Sequence, residues 1–351
     1  MTDRDNGGMG VGRAQLGVAV VGCGSTAHRR HLATWSTLDG CRLVAVVSRD
    51  ADRRADAART YGAAHAVADW RDLAGMPEVD IVDICTPHPT HAEIACALAG
   101  AGKHILCEKP LAVTLAEAQA MTEAARAAGV VLLPFHNMRL LGAARAAIDL
   151  VRQGAVGRPL LIRGIMAHGG PDARDPRRQW FLEAASGGGA VLDLGPHLFD
   201  LCAVLLPQPA RRLRATLRRG EGDAVERDAA VEMACADGTA AHLLLSWSLV
   251  GGRETQIVVH GTEGALRLGL AQEPPPAEGG SLAPLALSRG GPGAVAVQYP
   301  APSATLEPCA LMLQAVRGGT VPLSAGDGVS AIACVEAVYR SAAHDGAWVP
   351  L

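Results

Sequence analysis

The sequence has 351 residues, of which 49% are hydrophobic and 19% charged, and its formal net charge is -3. A chain of this length exceeds the size at which one hydrophobic core keeps growing, so we predict two domains, at residues 1–137 and 138–351. The small negative charge excludes long-range attraction to nucleic acid or to an anionic membrane, so the expected partner is a small molecule.

The N-terminal residues, the length of the apolar runs and the cysteines indicate the cellular compartment. Residues 1 to 15 lack the apolar core of a signal peptide, and no later run approaches the ~18 to 20 uninterrupted apolar residues that a membrane span needs. We therefore expect a cytoplasmic protein without membrane partners. The nine cysteines are an odd number and form no Cys-x-x-Cys pair, which favours buried thiols over disulfides or a metal cluster.

A glycine-rich turn follows the first apolar run. Residues 16 to 21 are continuously apolar, as in strands covered on both faces, and the next residues are Gly22-Cys23-Gly24-Ser25-Thr26-Ala27. Gly22 allows a tight turn, Gly24 lets the backbone approach a pyrophosphate, and Ala27 lets the next helix, near residues 27 to 38, pack closely on the sheet. The pattern predicts a dinucleotide site at a helix N-terminus.

The second predicted strand, residues 42 to 47, is followed by Ser48 and Arg49. An acidic residue here would bind the ribose 2'-hydroxyl of NAD, whereas a hydroxyl followed by a guanidinium suits the 2'-phosphate of NADP. NADP is therefore favoured, and NAD stays open. In the alternative interpretation, Asp50 or Asp52 reaches the ribose and Arg49 stacks on the adenine.

Strands and helices alternate through the rest of the first half. Helices are predicted near 51–59, 92–98 and 115–128, and strands at 79–84, 104–107 and 130–133. This order predicts an α/β domain with a doubly wound parallel sheet of Rossmann type, in which ligands bind beyond the carboxyl ends of the strands. The residues that follow these strands are candidates for the cofactor and substrate sites: Thr86, Pro87, His88, Glu108, Lys109, His136 and Asn137.

The second half has a different pattern. A helix at 140–153 is followed by strand candidates with little helix between them, at 160–166, 211–217, 229–235, 239–249, 256–259 and 265–270. They predict an α+β domain with a large, mostly antiparallel open sheet, which a second subunit of a homodimer or homotetramer would cover. Residues 271–293 are predicted as a loop, and 305–316 and 330–344 as closing helices.

A second candidate site lies in the glycine-rich run after residue 186. Pro196 suits the first turn of a helix that ends before Pro207. Asp193 precedes His197 by four residues, a spacing that can place a carboxylate beside an imidazole. Because the run lacks the Cys and His pairs of structural zinc, we expect a catalytic acid and base there and no metal.

These residues predict oxidation of a secondary alcohol, or the reverse reduction, by hydride exchange with a nicotinamide. His197 would take the hydroxyl proton, Asp193 would orient His197 and favour its imidazolium form, and Lys109 would donate a hydrogen bond to the reacting oxygen. Glu108 would anchor Lys109. A Lys109 base with His197 as relay is the alternative mechanism.

The motifs resemble those of the glucose-fructose oxidoreductase, inositol dehydrogenase and rhizopine catabolism family, written Gfo/Idh/MocA. The resemblance covers nearly the whole chain. Its segments are Val20 to Gly24, Thr86-Pro87 with His91, Gly102 to Pro110, Asn137 to Arg139, Gly154 to Pro159, Gly187 to Asp200 and Glu336 to Ser341.

The resemblance implies a nicotinamide-binding Rossmann domain, an open sheet that commonly mediates oligomers, and Lys109, Asp193 and His197 as catalytic residues. It also adds His91 to the cofactor site. Ala27 in place of a third glycine and Ser48-Arg49 in place of an acidic residue depart from the family pattern.

The implied substrates are sugars, cyclitols and their derivatives, including sugar moieties of secondary metabolites such as aminoglycosides. Aromatic residues are only 3% of the chain, so Trp180 and Phe181 are the rings expected to stack on a sugar. Two other functions stay open: a nicotinamide-dependent glycosidase that acts through a redox cycle, and a non-enzymatic cofactor sensor.

Overall fold

The computed structural model describes residues 15–172, 174–175, 179–249, 252–270, 285–289, 297–299 and 305–351. The first half folds around a six-stranded parallel sheet, which confirms the predicted α/β domain. Its strands are β1 (Leu16–Val21), β2 (Cys41–Val47), β3 (His65–Val67), β4 (Ile81–Ile84), β5 (His104–Cys107) and β6 (Leu132–Pro134). Their spatial order is β3-β2-β1-β4-β5-β6, so the winding direction changes between β1 and β4 and a ligand crevice opens there.

Helices cover both faces of this sheet. A π-helical turn at Ala27–Leu32 continues into α1 (Ala33–Trp35), and the later helices are α2 (Ala51–Tyr61), α3 (His91–Gly100) and α4 (Leu115–Ala128). Short 3-10 turns occupy Trp70–Gly75 and His88–Thr90. α4 begins where the predicted helix begins because Thr114 and Glu117 form a reciprocal capping box.

The second half contains a nine-stranded sheet among the described residues. Its strands are β7 (Pro159–His168), β8 (Arg212–Arg218), β9 (Asp228–Ala234), β10 (Ala240–Ser246), β11 (Arg253–Gly261), β12 (Gly264–Gly269), β13 (Leu285–Arg289), β14 (Val297–Tyr299) and β15 (Val349–Pro350). The order is β14-β13-β12-β11-β7-β10-β9-β8-β15. β7 and β10 pair in parallel and their other neighbours are antiparallel, which confirms the predicted α+β domain.

Helices α5 (Gly142–Arg152), α6 (Ala190–Leu205), α7 (Pro308–Val316) and α8 (Ala325–Ala342) complete the fold, with short turns at Met138–Leu140, Gln179–Leu182 and Ala184–Ser186. α6 is buried between the second sheet and α8. α7 returns to the first sheet, where Cys309 and Met312 share a buried cluster with Trp35 and Leu43. The boundary at residue 137 stays a prediction, since the chain crosses back between the two halves.

Two predictions about local structure were wrong. β13 lies inside the predicted 271–293 loop, while residues 271–284 and 290–293 of that loop lie outside the described residues. Pro196 is not in the first turn of its helix, because α6 already begins at Ala190. The earlier start has a distant cause: the buried Glu226 carboxylate accepts a hydrogen bond from the Val191 amide at 2.8 Å.

One helical stretch in the described part of the chain, Ala184–Leu205, is long and apolar enough to cross a membrane. Most of it is buried inside the protein. Buried core helices share this property, so it is weak evidence for a span. The nine cysteines are free thiols, and seven of them are buried.

Candidate active site

Lys109 and Asp193 form an ion pair between the two halves of the chain. β5 ends two residues before Lys109 and so places it at the carboxyl edge of the first sheet. Its Nζ donates to the backbone carbonyl oxygen and to Oδ1 of Asp193, both at 2.8 Å. The two side chains are 18% and 15% exposed, so the pair is shielded and still open to a small ligand.

Two further side chains surround the Asp193 carboxylate. Trp247 Nε1 donates to Oδ2 at 3.2 Å, and Nε2 of His168 lies 3.9 Å from the same oxygen. Although burial opposes ionisation, the Lys109 ammonium lowers the pKa of Asp193 to about 2. Asp193 is therefore a fixed negative charge at neutral pH. Neither Trp247 nor His168 was predicted, since both approach the site from the second sheet.

His197 lies one turn after Asp193 on α6 and is 7% exposed. Burial, with the Lys109 charge adding to it, holds the pKa of His197 well below its usual range. The imidazole is therefore neutral at neutral pH and can accept a proton. This corrects the prediction that Asp193 orients His197 and favours the imidazolium, because the Asp193 oxygens contact Lys109 and Trp247 instead.

His136 differs from its prediction as a substrate-binding residue. Its ring is 3% exposed, and its Nδ1 lies 2.6 Å from Oδ1 of Asp200. The other Asp200 oxygen lies 3.3 Å from Nε of Arg139. The structure gives His136 a buried contact with charged residues and no open face for a substrate. Asn137 is half-buried, and its Oδ1 is a buried oxygen without a hydrogen-bond donor in the described part of the chain.

The glycine-rich turn after β1 has the shape that a dinucleotide requires. Gly22 has φ of 103°, and a Cβ there would meet the Cys85 carbonyl oxygen at 2.6 Å. A Cβ at Gly24 would meet no protein atom within 4 Å, so this side of the turn is open. The first helix begins with a bond from the His28 amide to the Gly24 carbonyl, which leaves earlier amides to face an anion.

The remaining residues of the fingerprint line the same turn. Ser25 is exposed and Thr26 half-buried, whereas Cys23 and Ala27 are buried. The Cys23 thiol donates to the Val47 carbonyl at 3.6 Å, so only its backbone faces the crevice. These residues fit a dinucleotide cofactor.

Ser48 and Arg49 follow β2, half-buried and exposed respectively. Asp50 caps α2: its Oδ1 accepts a hydrogen bond from the Arg53 amide at 3.1 Å. Arg54 donates to the Ser48 and Arg49 carbonyl oxygens at 3.2 and 3.3 Å, which braces this turn. Arg49 is thus exposed at the end of β2, whereas Asp50 is used as a helix cap and also pairs with Arg53 Nε at 3.1 Å.

His91 was predicted to bind the cofactor, but the structure gives it a structural position. It is fully buried, and its two ring nitrogens lie 2.9 Å from the carbonyl oxygens of Pro110 and Thr86. His91 thus ties the loop after β4 to the loop after β5. Thr86 itself is half-buried and Pro87 is exposed, both beyond the end of β4.

An aromatic cluster stands beside this loop. Trp180 and Phe181 stack with centroids 3.8 Å apart, and Trp180 meets the edge of His88 at 4.6 Å. Burial lowers the pKa of His88 well below its usual range, so its ring is neutral. Trp180 and Phe181 are both half-buried, whereas His88 is buried.

Comparison with known proteins identifies the family. A family model described as the oxidoreductase family with an NAD-binding Rossmann fold matches residues 16–136, and the GFO/IDH/MocA C-terminal domain matches residues 144–267. The chain belongs to the Gfo/Idh/MocA family.

Curated relatives in the Gfo/Idh/MocA family include the 1,5-anhydro-D-fructose reductase of Ensifer adhaerens, 38% identical over 65% of this chain and 68% of that protein. The levoglucosan dehydrogenase of Pseudarthrobacter phenanthrenivorans is 33% identical over 60% of this chain and 61% of that protein. The latter alignment therefore spans less than two thirds of the relative's length.

Solved Gfo/Idh/MocA structures align over almost the entire chain. A levoglucosan dehydrogenase in complex with NADH and levoglucosan has a TM-score of 0.83 and 25% identity, covering 96% of this chain and 99% of that one. GenD2 from gentamicin A biosynthesis, in complex with NAD, has a TM-score of 0.81 and 29% identity, covering 97% of each chain.

One buried group beside the Gfo/Idh/MocA Glu-Lys-Pro motif was missed from the sequence. His31 lies between Asp83 and Glu108, and Trp35 donates to Asp83. Glu108 was predicted as the anchor of Lys109, and its Oε2 does accept from the Lys109 amide at 2.8 Å. The available signal was Asp83, a carboxylate in the middle of an apolar strand.

Proposed function

We propose that the protein is an NAD(P)-dependent oxidoreductase that transfers a hydride between nicotinamide and a secondary alcohol or ketone. The observation that carries this proposal is the 2.8 Å contact of Lys109 Nζ with Asp193 at the carboxyl edge of the dinucleotide sheet. A charged donor held there suits a reaction in which negative charge develops on a substrate oxygen.

When bound, the nicotinamide would supply or accept the hydride at its C4. The protein's own residues would do the rest. An ammonium group has three donors, and two of those on Lys109 go to the carbonyl and Oδ1 of Asp193. The third would donate to the substrate oxygen and stabilise the developing alkoxide. His197, neutral because it is buried, would take the hydroxyl proton.

The substrate class is proposed as a sugar, a cyclitol or a sugar moiety of a secondary metabolite such as an aminoglycoside. The names of the relatives support this class, since they include dehydrogenases for levoglucosan, D-apiose and myo-inositol. GenD2 supports the aminoglycoside alternative, because it comes from gentamicin A biosynthesis. The stacked Trp180 and Phe181 would provide an apolar face for a pyranose ring.

The test is a substrate panel of polyols, cyclitols, free sugars and aminoglycosides, followed by nicotinamide absorbance with both cofactors. The proposal expects turnover with at least one member that carries a secondary hydroxyl. No turnover with any secondary alcohol would contradict it, and glycoside cleavage without net change in the nicotinamide would indicate a hydrolase.

NADP is proposed over NAD, on the exposed Arg49 and on the use of Asp50 as a helix cap. The similar solved structures in complex with NAD or NADH favour NAD. A guanidinium bond to a phosphate is worth about 1.5–3 kcal/mol, so Arg49→Ala should raise the KM for NADP about 10- to 100-fold and leave that for NAD nearly unchanged. Equal effects on both cofactors would show that Arg49 does not bind the 2'-phosphate.

We also propose a homodimer or homotetramer in which a second copy covers the open face of the nine-stranded sheet. Leu244 on β10 is 41% exposed there, and its register partner on β7, Ile165, is half-buried. Analytical ultracentrifugation of the full chain tests this proposal, and a monomer at micromolar concentration would contradict it.

A further inference from the structure

We propose that His31 is a positioning residue for Lys109: a buried imidazolium that holds Glu108 ionised and oriented directly beneath the catalytic lysine. The proposal rests on the proposed function in taking Lys109 as the donor to the reacting oxygen. It concerns a residue that lies outside the Glu-Lys-Pro segment and the glycine-rich run.

The contacts of His31 with two ionised carboxylates require two donors. Its side chain is fully buried, Nδ1 lies 2.8 Å from Oδ2 of Asp83, and Nε2 lies 3.1 Å from Oε1 of Glu108. An ionised carboxylate only accepts hydrogen bonds, and a neutral imidazole has one N–H. Only the imidazolium can donate to both carboxylates at once.

The local fold holds the ring in this place. His31 belongs to the π-helical turn Ala27–Leu32, directly after the dinucleotide fingerprint, and Phe135 covers it with centroids 4.2 Å apart. Trp35 donates to the same Asp83 oxygen at 2.6 Å. Such turns are rare and often mark functional positions. Here the turn points a charged ring into the core beneath the active site.

The result is a row of alternating charges that ends at the reaction site. It runs from Asp83 through His31, Glu108 and Lys109 to Asp193. The carboxylates at both ends accept an indole N–H, Asp83 from Trp35 and Asp193 from Trp247. Without the cation at His31, the buried carboxylates of Asp83 and Glu108 would have no positive charge between them, and one would take up a proton.

The titration of these groups agrees with the geometry. Although burial opposes it, Asp83 raises the pKa of His31 to about 10. Burial also opposes ionisation of Glu108, and the bond from His31 nevertheless lowers the pKa of that carboxyl. A protonated Glu108 would be uncharged, so its Oε2 would be a weaker acceptor for the Lys109 amide.

The other ionisable groups near the Asp83 and Glu108 carboxylates stay in one state. Cys85, which directly follows β4, donates its thiol to Asp83 at 3.6 Å, Cys107 is on β5, and Cys309 is on α7. Burial raises the pKa of each of these thiols well above its usual range, so they remain protonated at neutral pH. Lys109 is the next charge along the row. The carboxylates and His31 thus set the charge of this cluster.

The pH dependence of His31→Gln tests the proposal. Glutamine is uncharged, so the pKa of Glu108 should rise in the variant. Near pH 7, kcat should fall by up to about 100-fold because Lys109 is misplaced, and activity should recover as pH rises and Glu108 ionises again. The wild type should show no such rise of kcat with pH. The Glu108→Gln and His31→Gln double variant should show no such rise either, because its residue 108 cannot ionise.

His104→Gln is the matched control. His104 begins β5, at the end opposite Lys109, and its Nδ1 accepts from the Val131 amide at 3.0 Å. Its replacement should lower stability and leave the shape of the pH profile unchanged. If His31→Gln loses activity evenly across the pH range, as a stability defect would, His31 is only structural and the proposal is wrong.

Histidine ring NMR on the wild-type protein gives a readout that needs no turnover and no folded variant. The ring of His31, identified by its contacts with Phe135, should carry both N–H protons at pH 8. A neutral ring at that pH would overturn the proposal. If the substrate panel shows no turnover, the proposed function fails separately, and the pH dependence of NADPH binding by His31→Gln is measured in place of kcat.

Discussion

At the scale of single residues, the site is governed by where charge is fixed and where it is free to change. Lys109 fixes the ionised state of Asp193, and burial keeps His197 neutral. The two groups therefore differ in function for an environmental reason: one carboxylate holds a donor in place, and one imidazole is available for a proton.

Asp193 should contribute to stability in a defined pH range. Its folded pKa is about 2 against a usual 3.8, so its stabilisation is complete above pH 4 and is lost as pH falls through about 2. The shift corresponds to about 2 kcal/mol. Denaturant unfolding at pH 5 and pH 2.5 should show this loss in the wild type and a smaller one in Asp193→Asn. Equal pH dependence in both proteins would contradict the ion pair.

At the scale of elements, the turn after β1 separates a glycine needed for folding from one needed for binding. At position 22, a residue with a side chain would have to adopt a φ of 103°, and its Cβ would collide with the backbone of Cys85. At Gly24, a side chain would enter open space. The two positions therefore form a matched pair for the same substitution.

Gly22→Ala should destabilise the protein by about 1–3 kcal/mol because of strain and the close contact. Gly24→Ala should leave the free energy of unfolding within about 0.5 kcal/mol and weaken cofactor binding, since its methyl group occupies the predicted place of the pyrophosphate. Urea unfolding and nucleotide fluorescence measure the two effects. If Gly24→Ala binds both cofactors as well as the wild type, the pyrophosphate does not lie there.

Most elements could be predicted from the sequence because their signals are local. β1, β5 and α4 follow from apolar runs and capping residues that lie within a few positions of each other. The short β3 could not be predicted, since His65 and Ala66 are exposed and carry no hydrophobic pattern. The start of α6 depends on Glu226, 35 residues away, so the local pattern around Pro196 indicated a later start.

The site residues likewise divide into those that local sequence patterns predict and those whose contacts only the fold reveals. The motif residues Lys109, Asp193 and His197 were found from strand ends and spacing, and the structure brings the first two into contact across 84 positions. The contacts of His31 join positions 52 and 77 residues apart, and only the folded sheet reveals them. Spacing on one helix suggested an Asp193 to His197 pair, but the longer Lys109 side chain reaches Asp193 from the other half.

At the scale of the whole molecule, a buried arginine joins helices that belong to distant parts of the chain. Arg139 follows β6 and is 6% exposed. Its Nε lies 3.3 Å from Asp200 on α6, and its Nη2 lies 2.7 Å from Asp327 on α8. Although burial opposes ionisation, Arg139 lowers the pKa of Asp327. This cluster fixes α6, and so Asp193 and His197, relative to the first sheet.

Arg139→Met should therefore cost about 3–5 kcal/mol of unfolding free energy, because it leaves the buried Asp200 and the half-buried Asp327 without this cation. Arg126→Met is the control, since Arg126 pairs with Glu123 on the exposed face of α4. That variant should unfold almost as the wild type does. Similar denaturation midpoints for the two variants would show that the buried cluster does not hold the halves together.

The central claim is that Lys109 acts on the reacting oxygen, and the chain offers a natural control for it. Its only two lysines, Lys103 and Lys109, flank the two ends of β5. Lys103 Nζ donates to the carbonyl oxygens of Met76 and Val79 at 2.8 and 2.9 Å, away from the site.

The decisive measurement is kcat for Lys109→Met and Lys103→Met with the best substrate of the panel, at saturating cofactor whose binding is checked by fluorescence. We expect Lys109→Met to bind the cofactor and to lose about 100- to 1000-fold in kcat, as removal of a charged donor to a developing alkoxide does. Lys103→Met should lose stability and keep its kcat. If Lys109→Met binds the cofactor and its kcat hardly changes, Lys109 is not the residue that acts on the substrate oxygen.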